Sequence, residues 1–87
     1  MTYTVEKSNQ AERFLSHPEK QDFLRIETEV ELLASNPFPR NSKKLKGLLG
    51  TYSIRVGMRR IIYTVDTDAK IILVYRIEDR KSVYKNL

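Results

Sequence analysis

Eighty-seven residues with a net charge of +5, 40% hydrophobic side chains and no cysteine exclude several classes of protein at once. A chain this short buries only about 60–65% of its unfolded surface, so one modest core has to serve a single domain over residues 1–87. Without cysteine there is no disulfide framework and no thiolate for metal binding or nucleophilic attack. No apolar run approaches the ~20 residues of a membrane span, and the opening "MTYTVEKSNQ" has neither the basic segment nor the apolar run of a signal peptide, so the expectation is a soluble, cytoplasmic protein with no membrane partner.

The charge is unevenly distributed. Residues 1–39 carry four Lys/Arg against seven Asp/Glu, a balance of −3, and residues 40–87 carry twelve against four, a balance of +8. A one-sided positive field is the electrostatic footprint of a polyanion binder, of which nucleic acid is the commonest.

Tyr3, Val5 and Lys7 share one face of a short opening strand that is expected to join a sheet. Ser8 or Asn9 suits the N-cap of a first helix through Leu15, which ends near His17 because Pro18 disfavours helical geometry in the residue before it. Pro18 then fits the first turn of a second helix, in which Phe23, Ile26, Val30 and Leu33 form an apolar stripe at helical period and Glu19, Asp22, Glu27, Glu29 and Glu31 an acidic exterior. "NPFP" at residues 36–39 stops it. "RNSKKLKGLLG" follows as a basic connecting loop holding Arg40, Lys43, Lys44 and Lys46.

Two β-branched runs, Tyr52 to Val56 and Arg59 to Val65, flank Gly57-Met58, and a third spans Ile71 to Ile77 after a turn over Asp66 to Lys70. The pattern predicts a three-stranded antiparallel meander. Alternation sends Tyr52, Ile54 and Val56 towards a core and Ser53 and Arg55 the other way. The expected fold is therefore α+β: an N-terminal strand, a helical hairpin of two helices, then the meander, with the sheet packed on the helices. Arg55, Arg59 and Arg60 would be cations on a rigid sheet, where like charges repel unless an anionic partner is present. The sole histidine, His17, lies at a helix end, and there is no Cys or His cluster to hold a metal.

"KLKG", "Y-x-I-R-V-G", "R-I-I-Y-x-V-D" and the closing "R-K-x-V-Y" occur in that order along essentially all of the chain. In this ordered set the sequence resembles the RelE branch of the RelE/ParE toxin superfamily. The resemblance implies a toxin of a type II toxin–antitoxin system: a ribosome-dependent endoribonuclease that cuts mRNA by attack of a 2′-hydroxyl on the adjacent phosphate. It further implies no cofactor, silencing by a cognate antitoxin protein, and contact with operator DNA only through the antitoxin complex. Carried over position by position, Arg55, Arg60, Arg80 and Tyr84 are the expected catalytic residues; the remaining cations of the basic loop, sheet and tail, Lys43, Lys44, Lys46, Arg59 and Lys81, are expected to bind the RNA substrate.

The chemistry agrees in kind. Internal attack on a phosphodiester builds negative charge on phosphate oxygens, where prepositioned guanidinium groups offer planar, bidentate donors. Tyr84 could stack on a base. Relatives often carry lysine where this chain has Ser53, and several carry histidine where it has Asp79, with Glu78 alongside. Those carboxylates could move a proton or could neutralise Arg80. A ParE-like inhibitor of DNA gyrase, or an RNA-binding relative with weak catalysis, are the alternative readings.

Overall fold

In the computed structural model, which describes residues 2–79, the chain runs β1 (Thr4–Lys7), α1 (Asn9–Phe14), α2 (Phe23–Leu32), β2 (Ser42–Lys44), β3 (Thr51–Val56), β4 (Arg59–Asp66) and β5 (Ile71–Asp79). The strands form one five-stranded sheet in the order β1-β5-β4-β3-β2, with β1 parallel to β5 and the other neighbours antiparallel. The α+β class and the consecutive pairing of β3, β4 and β5 match the reading of the sequence. Among the described residues no helix is long and apolar enough to cross a membrane.

Both helices lie on one face of the sheet. Ala11 and Phe14 of α1 and Phe23, Ile26 and Val30 of α2, with Leu33, meet Ile54, Val56, Ile61, Tyr63, Ile72, Val74 and Ile77 in one buried cluster. The predicted stripe on the second helix is thus core. Ser8 caps α1, its hydroxyl accepting the N–H of Ala11 at 3.2 Å.

Three details differ from expectation. α2 starts at Phe23, and residues 18–22 form turns, because Asp22 sits in the left-handed region at φ 66 and interrupts helical geometry there. Its carboxylate does not cap the helix: Oδ2 accepts the N–H of Met58 at 3.1 Å, and Oδ1 lies 3.6 Å from Arg25. The basic loop contains a strand, β2, which pairs Ser42, Lys43 and Lys44 with Ile54, Ser53 and Tyr52. Finally, β5 continues to Asp79 and carries a register shift opposite Ile62/Tyr63. Tyr75 is the extra residue, so Ile72, Val74 and Ile77 can all face the core although strict alternation would put Ile77 outside. Gln10 fastens the strand beyond this bulge: its amide donates to the Ile77 carbonyl at 2.7 Å and accepts the Ile77 N–H at 2.8 Å.

Candidate functional site

The open face of the sheet follows from the buried one. Because Ile54 and Val56 point into the core, Ser53 and Arg55 must point away, and because Ile61 and Tyr63 are buried, Arg60 and Ile62 share that outer face. Register then completes the grouping: Lys43 is opposite Ser53 across β2–β3, and Arg55 is opposite Arg60 across β3–β4. Directly opposed Cα atoms in such ladders are about 4.5–5.5 Å apart, so the two guanidinium stems are immediate neighbours.

Lys43, Ser53, Arg55 and Arg60, with Asn41, line a hollow of about 180 Å³. Ser53 is its floor, only 7% exposed, and a side chain this small is what leaves the space. Among the described residues no ion pair engages Lys43, Arg55 or Arg60. Among the described residues the lining of the hollow is therefore cationic and holds no carboxylate.

Behind it, an aromatic ladder sets the position of β2. Phe38 meets Tyr52 edge-on at 5.1 Å between ring centroids, and Tyr52 stacks on Tyr63 at 5.9 Å. The fully buried Tyr63 donates its hydroxyl to the Pro37 carbonyl at 2.8 Å, and burial pushes its phenol up to about 12. Ser42 then closes onto Pro39, its N–H and its hydroxyl donating to that carbonyl at 2.9 and 2.7 Å. The "NPFP" segment is thereby held to the sheet, and Lys43 is delivered next to Ser53.

Not every expected residue gathers here. Arg59 has the parity of Ile61 and turns to the helix side, where its guanidinium lies 4.9 Å over the Phe14 ring and its Nε donates to the Gln21 carbonyl at 3.2 Å. It ties β4 to the turn before α2, away from the hollow in which Arg55 and Arg60 meet. Lys44 is at the register of Tyr52, opposite in parity to Lys43, and with Leu45, Lys46, Gly47, Leu48 and Leu49 it lines a separate hollow of about 590 Å³. Arg80, Lys81 and Tyr84 lie outside the described residues. His17 pairs with Glu19 at 3.0 Å in an exposed turn. Among the described residues no group of three or more His, Cys, Asp or Glu could hold a metal ion.

Two contributors were not singled out from the sequence. Asn41 gives no signal in a polar stretch. Arg76 joins the outer face at the register of Ile62 and holds Glu78 at 2.7 Å, but its facing was concealed by the bulge at Tyr75.

The fold is a five-stranded sheet with helices on one face and a basic hollow on the other, and likeness to known proteins gives its class, a small toxin of the type II toxin–antitoxin kind. The chain belongs to the ParE toxin family of type II toxin–antitoxin systems, whose model matches residues 2–84, within the RelE/ParE superfamily. It is 30% identical over 89 residues to the protein named "Putative toxin RelE1" of Methanocaldococcus jannaschii, covering 99% of each chain. Its structure is similar to a chain of the archaeal RelE–RelB complex of Pyrococcus horikoshii, with a TM-score of 0.78 and 29% identity over 92% of this chain and 97% of that one. It is likewise similar to a chain of the RelBE2 toxin–antitoxin complex of Mycobacterium tuberculosis, with a TM-score of 0.70 and 30% identity over 92% of this chain and 100% of that one.

Proposed function

We propose that this toxin is a ribosome-dependent endoribonuclease of the cytoplasm, cleaving mRNA by attack of a 2′-hydroxyl on the adjacent phosphate and neutralised by a cognate antitoxin. The observation that carries the reading is the opposed pair Arg55 and Arg60, with Lys43 beside them, around a hollow whose described lining holds no carboxylate. Two guanidinium groups fixed at that spacing can each present paired donors to phosphate oxygens. Their charge is in place before the reaction begins, so no reorganisation is needed as the transition state forms. The ribosome supplies alignment of the 2′-hydroxyl with the leaving oxygen, a contribution of several kcal/mol on the usual scale, about 7 or more where alignment is complete. Arg80 and Tyr84, outside the described residues, are the further catalytic residues in this reading; the occurrence of similar chains in toxin–antitoxin complexes supports a cognate antitoxin, whose charge should complement the basic half of the chain.

Expression in cells tests the reading. The intact chain should arrest growth and leave mapped cuts within translated mRNA, and Arg60→Ala should abolish both while the variant still associates with the antitoxin. Cuts undiminished in Arg60→Ala would remove the assignment.

A ParE-like gyrase inhibitor is the second reading, and Ser53 favours it: the floor of the hollow has no group able to take a proton at neutral pH. Inhibition of gyrase supercoiling by the purified toxin, with translated mRNA left intact, would establish this reading instead.

A further inference from the structure

Two carboxylates adjoin at the end of β5, and the sheet separates them. Asp79 stands at the register of Arg59, the arginine that turns to the helices, whereas Glu78 stands at the register of Arg60 on the open face. Arg55, Arg60 and Glu78 therefore make one transverse row over three strands. Glu78 is also held in place: Arg76 Nε donates to its Oε1 at 2.7 Å, and its side chain is only 19% exposed. The described groups that face it are all cationic, Arg60 from β4, Arg76 from its own strand and Arg55 one strand beyond. Asp66, the carboxylate of β4, is at the far end of that strand, and its Oδ1 accepts the N–H groups of Asp68 and Ala69 at 3.1 and 3.0 Å.

The chemistry lacks one component that this row supplies. A 2′-hydroxyl must lose its proton to attack, and guanidinium groups, which carry only donors, cannot receive it. Ser53 offers only a hydroxyl, and no carboxylate or imidazole lines the hollow among the described residues. We infer that Glu78 is the proton acceptor of the reaction and that Arg76 is its positioning residue, holding Oε1 so that Oε2 is presented to the substrate. The inference rests on the RNA-cleaving reading above. In the step, the 2′-O–H proton passes to Glu78 Oε2, the 2′-oxygen forms its bond to phosphorus, and the bond from phosphorus to the 5′-oxygen breaks. That oxygen takes a proton from a water molecule. The hydroxide so formed is neutralised by the proton that Glu78 then releases, leaving a 2′,3′-cyclic phosphate, a 5′-hydroxyl and the carboxylate restored.

The plain alternative is that Glu78 only relieves repulsion among three arginines. Single-turnover cleavage of ribosome-bound mRNA as a function of pH separates the two. The wild-type rate should fall about tenfold per pH unit on the acid side, the limb reporting a single acceptor. Glu78→Gln, which keeps the size and the acceptor oxygen for Arg76, should lower the plateau rate by about 10²- to 10⁴-fold and erase that limb. Glu78→Asp should retain the limb at a reduced rate, and it stands in if the glutamine variant fails to fold. Arg76→Ala should lower the rate and leave the limb in place. A Glu78→Gln protein that cuts within about threefold of wild type, or that keeps the acid limb, overturns the inference while the nuclease reading stands. Wild-type toxin that cuts no ribosome-bound mRNA overturns both.

Discussion

Arg55 and Arg60 stand directly opposite each other on the open face of the β3–β4 pair, with no described ion pair to separate their charges. Cross-strand like charges cost about 0.2–1 kcal/mol. Removing either charge should therefore stabilise the free toxin while it impairs the site. Arg55→Gln is expected to raise Tm by about 1–8 °C at low salt, given about 4–8 °C per kcal/mol for a domain of this size. The gain should shrink as added salt screens the pair. Thermal denaturation at low and high ionic strength checks both parts.

Gly57 is fixed by both torsion and contact. Its φ is +59, and a β-carbon there would lie 2.5 Å from Asp22 Oδ2, the oxygen that accepts the Met58 N–H. Gly57→Ala is expected to cost about 1–3 kcal/mol, from the left-handed backbone and the broken clamp together. Asp22→Ala should cost less in the Gly57→Ala background than in wild type, since the two substitutions strike one contact. Urea denaturation of the four members of the cycle measures the coupling.

Strand phase decided how much of this was legible. The alternation through Tyr52–Val56 shows directly which of its residues turn outward, and the structure places Ser53 and Arg55 accordingly. The same rule applied to β4 separates Arg59 from Arg60, since Arg59 shares the parity of the buried Ile61 and Tyr63. Grouping the two by charge alone concealed that. β2 was hidden because its three residues, Ser42, Lys43 and Lys44, include no apolar side chain; pairing with β3 makes it a strand. The facing of Arg76 and Glu78 depends on the bulge at Tyr75, and a one-residue shift of phase leaves no mark in composition. The late start of α2 depends on one residue, Asp22, whose carboxylate is used 36 positions away.

Tyr63 gives the fold an alkaline limit. The buried neutral phenol titrates near 12 in the folded protein against 10.0 in model compounds, so its contribution is fully present below pH 10 and is lost as pH rises from 10 to 12. Tyr63→Phe should lose about 1–3 kcal/mol at neutral pH, because the Pro37 carbonyl is left without its donor. Between pH 10 and 12 the wild-type advantage should narrow and then vanish, which denaturant midpoints at pH 7, 10 and 11.5 would show.

Gln10 stands in for a strand where β1 has ended, making both amide bonds to Ile77. Gln10→Ala is expected to cost about 1–2 kcal/mol, from two net hydrogen bonds. The loosening should be local. Amide exchange should accelerate most at Ile77, with the Ile54 and Ile61 amides of the central strands changing only by the global loss of stability.

The most direct test of the cationic hollow is single-turnover cleavage of mRNA on purified ribosomes by wild type, Arg55→Ala, Arg60→Ala and the double variant, each first shown to fold by its melting curve. Each single substitution should slow cleavage by about 10²- to 10³-fold, the magnitude of one lost transition-state donor. The double variant should fall short of the product of the two, as groups acting on one phosphate do. Cleavage by the double variant at the wild-type rate would contradict the account.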